Sequence, residues 1–487
     1  MLLHKNDKLE WKQINYRSIS TALGMEFLHD LYNQYLPEVN AIRFRNTITV
    51  CNGTEITSYA PKREWDLIST WFTKRFIRGD EELFSELRRY IDDPKQRLHE
   101  FREEYEKTTL RDMHDIDLAL ALIDFQYRVL NSIYRINLVQ VEHAMWHAID
   151  ELAKEVFPAK KERNKAISCM VYSEEATVGV EEERDFLTIV RKGIMRGCKE
   201  PDTNIMTMLD QHCETYRYVH CAYGTEPYDL DHYISQYKEA YEQGLDRIVE
   251  RGRDIEKGIQ ESVNRKRHYV RKIKERSTLR RIIGLYTEIG SLRDRNKALL
   301  GRTMRIRNDM LDEISARKRI PRYLLDHYFL AELCSLLKDD HRISEIDIRR
   351  RKNGMVLRRE ESFDIMTEDP LKGCHGRSAA WTCASPGSVD GTVRIIRSAG
   401  DISKMNKGDI MVAHGTDFDL IGAMQMAGGI ITEEGGLLSH ASVISRELKI
   451  PCLIGVEDAT TRFSDGDTVR LDADNERIEK MEGCIHE

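Results

Sequence analysis

Glycine is distributed so unevenly that the chain cannot be built to one plan throughout. Of 29 glycines, fourteen lie in residues 1–370 and fifteen crowd into the last 117 positions. Helix interiors disfavour glycine, whereas tight turns between short strands need it. The first part accordingly reads as helical. EELFSELRRYIDD (81–93) and DIDLALALIDFQYRVLNSIYRINLVQVEHAMWHAIDELAKEVF (115–157) are rich in Leu, Ile and Ala and carry no internal Gly or Pro. A second long stretch starts near Tyr233 and sets Tyr233, Tyr237, Tyr241, Leu245 and Ile248 on one face. Stop signals are sparse until Pro321, with scattered glycines able to divide it. The exception is TITVCNG (47–53), which reads as a short hairpin strand.

After Pro370 the texture reverses. GTVRIIRS (391–398), DIMVA (409–413), GGIITEE (428–434), PCLIGV (451–456) and DTVRLDAD (467–474) are short apolar runs bounded by turn formers, and they read as strands. SHASVISRELK (439–449) has apolar residues at 441, 443, 444 and 448 and reads as one short helix. The fold class expected is multidomain: a mainly α-helical N-terminal region and a C-terminal α/β domain. The helical domain is placed at 1–365, divisible near 160–230, with a linker at 366–384 and the α/β domain at 385–487.

Composition excludes several classes. Hydrophobic residues at 41% and charged residues at 32% suit a globular protein, and a net charge of -7 over 487 residues calls for neither nucleic acid nor membrane. No run of about eighteen apolar residues occurs, and the first residues lack the apolar core of a signal peptide. The ten cysteines form no CxxC pair. The expectation is a cytoplasmic protein with reduced thiols and no metal site.

Residues 428–456 carry the chemistry. They read as strand, glycine turn, helix, strand. Gly435 and Gly436 permit close approach of a ligand, and Ser439 suits a helix N-cap that places His440 in the first turn. Free backbone N–H groups and the helix dipole favour an anion there. Imidazole is uncharged at neutral pH, so it can attack a phosphoryl group through a ring nitrogen.

GGIITEEGGLLSHASVISRELKIPCLIGV resembles the phosphohistidine loop of pyruvate phosphate dikinase, phosphoenolpyruvate synthase, enzyme I of the sugar phosphotransferase system and rifampicin phosphotransferase. Gly435, Gly436, Ser439, His440, Ala441, Arg446, Glu447, Pro451 and Gly455 match that pattern in order and spacing. CASPGSVDGTVRII (383–396) and GDIMVAHGTDFDLIGAM (408–424) extend the resemblance to about 375–475, with Thr416 matching a threonine near the phosphohistidine. Two positions depart: Leu438 stands where a threonine is usual, and Asp417-Phe418 where Ser-Pro is usual. The resemblance implies a swivelling domain in which His440 is transiently phosphorylated. Gly435, Gly436, Ser439, Thr416 and Arg446 are candidates for phosphate support. Arg446 follows His440 by six residues, nearly opposite on an ideal helix, so a surface or interdomain ion pair is the plainer reading.

A full dikinase of this family also has an ATP-grasp nucleotide domain and usually a phosphoenolpyruvate-binding barrel. No Walker-type GxxxxGK occurs, and 47 residues after His440 are too few for a barrel. The resemblance therefore implies a phosphotransferase component loaded by a separate ATP-grasp partner, with ATP and Mg2+ on that partner and a small-molecule phosphoacceptor. Stretches of the first part, ISEIDIRRRKNGMVLRRE (343–360) among them, resemble the helical region preceding the mobile domain in phosphoenolpyruvate synthase-like and rifampicin phosphotransferase-like proteins. That part is expected to be a platform for the mobile domain. His212, Tyr216, Arg217, Tyr218, His220 and Tyr223 could line an acceptor pocket, though an aromatic helix face in the core is the simpler reading. Arg293, Arg295 and Lys297 could bind phosphate, with a solvated helix face as the alternative.

Two rival classes are set beside this. A basic helix at 265–281, with nine Lys/Arg and one Glu, could neutralise nucleic-acid phosphates, but such runs more commonly form solvated surfaces. A non-catalytic regulator retaining the fold would explain Leu438 as a sign of lost activity.

Overall fold

A computed structural model describes residues 11–17, 48–51, 56–92, 94–129, 139–219, 227–275, 277–353, 355–358, 361–364, 381–397, 399–416, 420–433, 439–456 and 458–481. The first part is predominantly helical and the last part is α/β. The helical region also holds a five-stranded antiparallel sheet: β1 (Trp11–Arg17), β2 (Ile48–Cys51), β3 (Ile56–Pro61), β4 (Met355–Arg358) and β5 (Glu361–Asp364), ordered β1-β3-β2-β4-β5. The hairpin strand expected at 47–53 is β2. It pairs with β3 on one side and, on the other, with β4 from three hundred residues later. That long-range pairing has no local signature in sequence.

The apolar stretch 115–157 is less continuous than its composition suggests. Helix Asp115–Asp124 passes into a π-helical turn at Phe125–Val129, and helix Val139–Ala153 follows, residues 130–138 lying outside the described set. The stretch from Tyr233 divides into helices Leu230–Glu242, Leu245–Val270, Thr278–Arg295 and Lys297–Lys318. Gly244 makes the first break, at φ +83, a conformation open to glycine at little cost. Tyr233, Tyr237 and Ile248 still share one core with Val190, Ile205, Leu209 and Cys213, although they come from two helices. Within it Tyr237 packs directly on Gly193, where any Cβ would lie 1.8 Å from the phenol oxygen.

The basic helix expected at 265–281 is not one helix. Leu245–Val270 ends, Ile273 turns into the core, and Ser277 caps the next helix by accepting from Arg280 N at 3.4 Å. A buried apolar residue inside the charge run breaks it.

The α/β unit has seven strands rather than the five read from sequence: β6 (Thr382–Ser385), β7 (Ser388–Ile395), β8 (Ile410–Ala413), β9 (Gly429–Thr432), β10 (Cys452–Ile454), β11 (Thr468–Asp472) and β12 (Arg477–Lys480). Their order is β12-β11-β7-β8-β9-β10-β6, parallel from β7 to β10 and antiparallel at both flanks. Helix Ile421–Met426 links β8 to β9, and helix His440–Leu448 links β9 to β10. The central strands are buried on both faces, as parallel strands usually are. Ile410, Val412, Ile431 and Leu453 pack with Phe463 and Val469 on one face. Met411, Ala413, Ile430 and Cys452 face the other way and join Ala441 and the helical region in a single large core.

Helix Lys160–Met170 makes much of that junction. Its Ala166, Ile167 and Met170 are buried in the shared core, and Ser168 Oγ donates to the Ala384 carbonyl at 3.2 Å. Asn164 reaches Glu476 Oε1 at 3.3 Å, and Lys161 pairs with Asp474 at 3.0 Å. Thr177 Oγ1 donates to Glu447 at 3.0 Å, and Lys449 pairs with Glu261. The C-terminal end of helix His440–Leu448 is therefore tied to the helical region at two points.

Candidate functional site

Four parallel strands end at one edge of the sheet, and in open α/β sheets the crevice beyond the carboxyl ends of the strands is where ligands bind. His414 and Thr416 follow β8, Glu433 follows β9, and Thr460 lies in the turn of helix Ala459–Arg462 after β10. His440 opens the helix that crosses from β9 to β10. Residues distant in the chain are thus gathered by strand order.

Ser439 is the N-cap of the His440 helix, in extended backbone conformation. Its hydroxyl accepts from Ser442 N at 3.3 Å and contacts Ser442 Oγ at 3.0 Å. The helix stops at Lys449, at φ +59. His440 is half-buried, and its Nδ1 lies 3.2 Å from Thr416 Oγ1. Thr416 and His440, paired in the reading above only by resemblance, are in contact here. Nε2 of His440 is buried in this arrangement. Gly435, Gly436, Leu438, Asp417 and Phe418 lie outside the described residues.

Arg446 is on the far side of its helix, as six-residue spacing requires. It is 8% exposed, so a surface ion pair is set aside. Burial pushes its guanidinium below its ordinary value, and nearby Tyr286, Cys452, Glu447 and Tyr172 oppose that shift. Tyr286 and Tyr172 belong to the helical region, which places Arg446 in the seam between the two parts. One guanidinium N–H reaches the Ala384 carbonyl at 3.5 Å.

Sequence reasoning missed a second group at the same edge. His414 Nδ1 contacts Glu433 Oε2. The other carboxylate oxygen accepts from both Thr460 N, at 2.6 Å, and Thr460 Oγ1, at 2.5 Å. Burial tends to raise the Glu433 carboxyl, but the bonds from His414 and Thr460 outweigh it and hold the group below the ordinary range. The available signal was positional: His414 and Glu433 each sit one step past a parallel strand.

The remaining candidates fall elsewhere. His212 is buried against Phe186, Tyr216 and Tyr233, and Tyr216 donates to Asp185 at 2.7 Å. His220 and Tyr223 lie outside the described residues. Arg293 pairs with the buried Glu142, and Arg295 with Glu175 at 3.3 Å; the Lys297 side chain lies outside the described set. Of the basic run, Arg265, Arg267, Lys272 and Arg281 pair with Glu261, Glu174, Glu162 and Glu81, and Lys266 donates to the Tyr172 carbonyl at 2.7 Å. Among the described residues no helix is long and apolar enough to cross a membrane.

Comparison with known proteins agrees with this geometry. Residues 405–476 match the family described as PEP-utilising enzyme, mobile domain. A probable phosphoenolpyruvate synthase of Methanothermobacter thermautotrophicus is 44% identical over 104 residues, 21% of this chain and 15% of that protein. The phosphoenolpyruvate synthase of Pyrococcus furiosus is 45% identical over 89 residues, 18% of this chain and 11% of that protein. An uncharacterised phosphotransferase of Bacillus subtilis, YvkC, is 41% identical over 95 residues, 20% and 11% of the two chains. The chain spans no more than 15% of the length of these relatives.

Proposed function

We propose that the mobile-domain match at 405–476 marks a phosphotransferase component in which His440 is the phosphoacceptor. The observation that carries the reading is the His440–Thr416 contact at the first turn of a capped helix. With a hydrogen on Nδ1 directed at Thr416 Oγ1, the lone pair sits on Nε2, and that nitrogen attacks phosphorus. The N–P bond forms as the donor's bond to phosphorus breaks, and the leaving group departs with the bonding pair. No proton need leave the ring. The phosphoryl oxygens would then lie near the helix N-terminus, whose free N–H groups and dipole favour an anion.

Because Nε2 is buried against its surroundings here, loading and delivery belong to other arrangements. Rigid-body motion of the α/β unit about the segment that joins β5 to β6 would supply them, the linker expected at 366–384 running into β6 at Thr382. The proposal places ATP and Mg2+ on a separate ATP-grasp partner and assigns the phosphoryl group to a small-molecule acceptor. Arg446 and Ser439 are proposed to support the phosphohistidine indirectly, by fixing the helix that presents it.

The test exploits the P–N bond, which is labile to acid. Protein isolated from cells grown with radioactive phosphate should carry label that is released at low pH and survives alkali, and His440→Ala should carry none. Acid-labile label that persists in the His440→Ala protein, or its absence from the wild type, refutes the reading.

A further inference from the structure

We infer that His414, held by Glu433, is a second catalytic residue of this site: as an imidazolium it binds the phosphoryl oxygens while phosphorus passes to and from His440. The inference rests on the phosphoacceptor reading and deepens it.

Three observations support it. First, the pair is built. One oxygen of Glu433 takes two bonds from Thr460, so the carboxylate cannot rotate, and its other oxygen meets His414 Nδ1. A carboxylate on Nδ1 fixes the ring's orientation and favours its charged form, the role the acidic member plays in a Ser-His-Asp triad. Second, the pair is placed. His414 precedes by two residues the threonine whose hydroxyl touches His440, on the same strand exit, and Glu433 leaves the adjacent parallel strand. Third, the two partners differ in exposure. The His414 side chain is 32% exposed and that of Glu433 13%, so the acid is the buried anchor and the ring the reachable group.

Bonding at Nδ1 directs Nε2 away from the carboxylate, and in an imidazolium both nitrogens donate. A charge-assisted N–H bond to a phosphoryl oxygen is about twice as strong as a neutral one. In the step itself His414 makes and breaks no bond to phosphorus and keeps its proton.

Phosphoramidate tests this without a protein partner: its N–P bond breaks, ammonia leaves, and a histidine N–P bond forms. The full chain would be treated at neutral pH and the site and rate of phosphorylation followed by mass spectrometry. His414→Gln should slow labelling of His440 about tenfold, the effect of losing one charge-assisted bond, and flatten its pH profile between about 6 and 8. His414→Arg should restore much of the rate, which a packing role would not predict. Glu433→Gln, which keeps the Thr460 contacts, should give a smaller loss and serves if His414→Gln does not fold. Equal rates at His440 in wild type, His414→Gln and Glu433→Gln overturn the inference and leave the acceptor assignment standing. Label on His414 in place of His440 overturns it as well. An unlabelled His440 in the wild type refutes the acceptor assignment itself.

Discussion

The helical region and the α/β unit differ in where some of their covered polar groups lie. In the helical region charges close on one another. Arg351, 5% exposed, grips both oxygens of Glu332 at 2.7 Å, and Arg163 pairs with Asp150 at 2.8 Å. In the α/β unit the comparable groups gather at the ends of strands, where His414, Glu433, Thr460, Thr416 and His440 converge from four chain segments. Closed pairs hold a scaffold, while convergent groups at a sheet edge are available to something that enters. Taken with the proposed function, the difference gives stability to one part and chemistry to the other.

The largest effect expected from this contrast is on stability. Arg351→Ala should cost about 3 kcal/mol, the upper end for losing hydrogen bonds to a charged group, Glu332 being only partly covered, read by denaturant unfolding. Arg351→Lys should recover little, since lysine cannot make the forked contact. Labelling of His440 at a temperature where the variant is folded should be unchanged, and a fall would break the contrast.

Next is Gly428→Ala, expected to cost about 2 kcal/mol by overpacking. A Cβ there would lie 2.6 Å from the Gly408 carbonyl oxygen, and backbone cannot rotate away. A loss below about 0.5 kcal/mol, the range of ordinary surface substitutions, would show that the sheet edge yields more than its geometry implies.

Acid should act on the α/β unit in one direction. Burial tends to raise the Asp409 carboxyl, but Arg394, at 2.9 Å, and Asn406 hold it below its ordinary value. Its folded pKa is thus lower than its unfolded one. The stabilisation is present above about pH 4, the unfolded value, and disappears as pH falls through the folded value. Asp409→Asn should lower stability at pH 7 and narrow the gap from wild type as the solution is acidified below that point. A gap that stays constant would exclude the pairing. The smallest effect is expected from Lys161→Ala in the seam. Its partner Asp474 is well covered but the lysine is open to solvent, and exposed pairs contribute little. The melting temperature should not move measurably, whereas a clear drop would make the surface pairs, not the shared core, the fastening between the two parts.

What was legible in the sequence follows the same division. The short apolar runs and Ser439 before His440 gave the central strands, the helix and its cap, because strand length and capping are local properties. β12, four residues long, was missed, and β6, equally short and defined by pairing with the distant β10, was suggested only by the resemblance of 383–396 to an entry strand pair. The five-stranded sheet was visible only as one hairpin strand, since β4 lies three hundred residues from β2. Arg446 was legible as facing away from His440 but not as buried, because a partner surface cannot be read from spacing. His414 and Glu433 were passed over although both lie inside the quoted passages, because neither is among the residues that match the family's pattern. Only the strand order brings them to the same edge of the sheet.

The pairing of β4 with β2 has a mechanical consequence. The chain reaches the α/β unit from a fixed post: β5 ends at Asp364, stitched through β4 to the first hairpin, and β6 resumes at Thr382. A span of that many peptides is at most about 60 Å when fully drawn out. In the proposed cycle that length bounds how far Thr382, and the α/β unit that begins there, can move from Asp364.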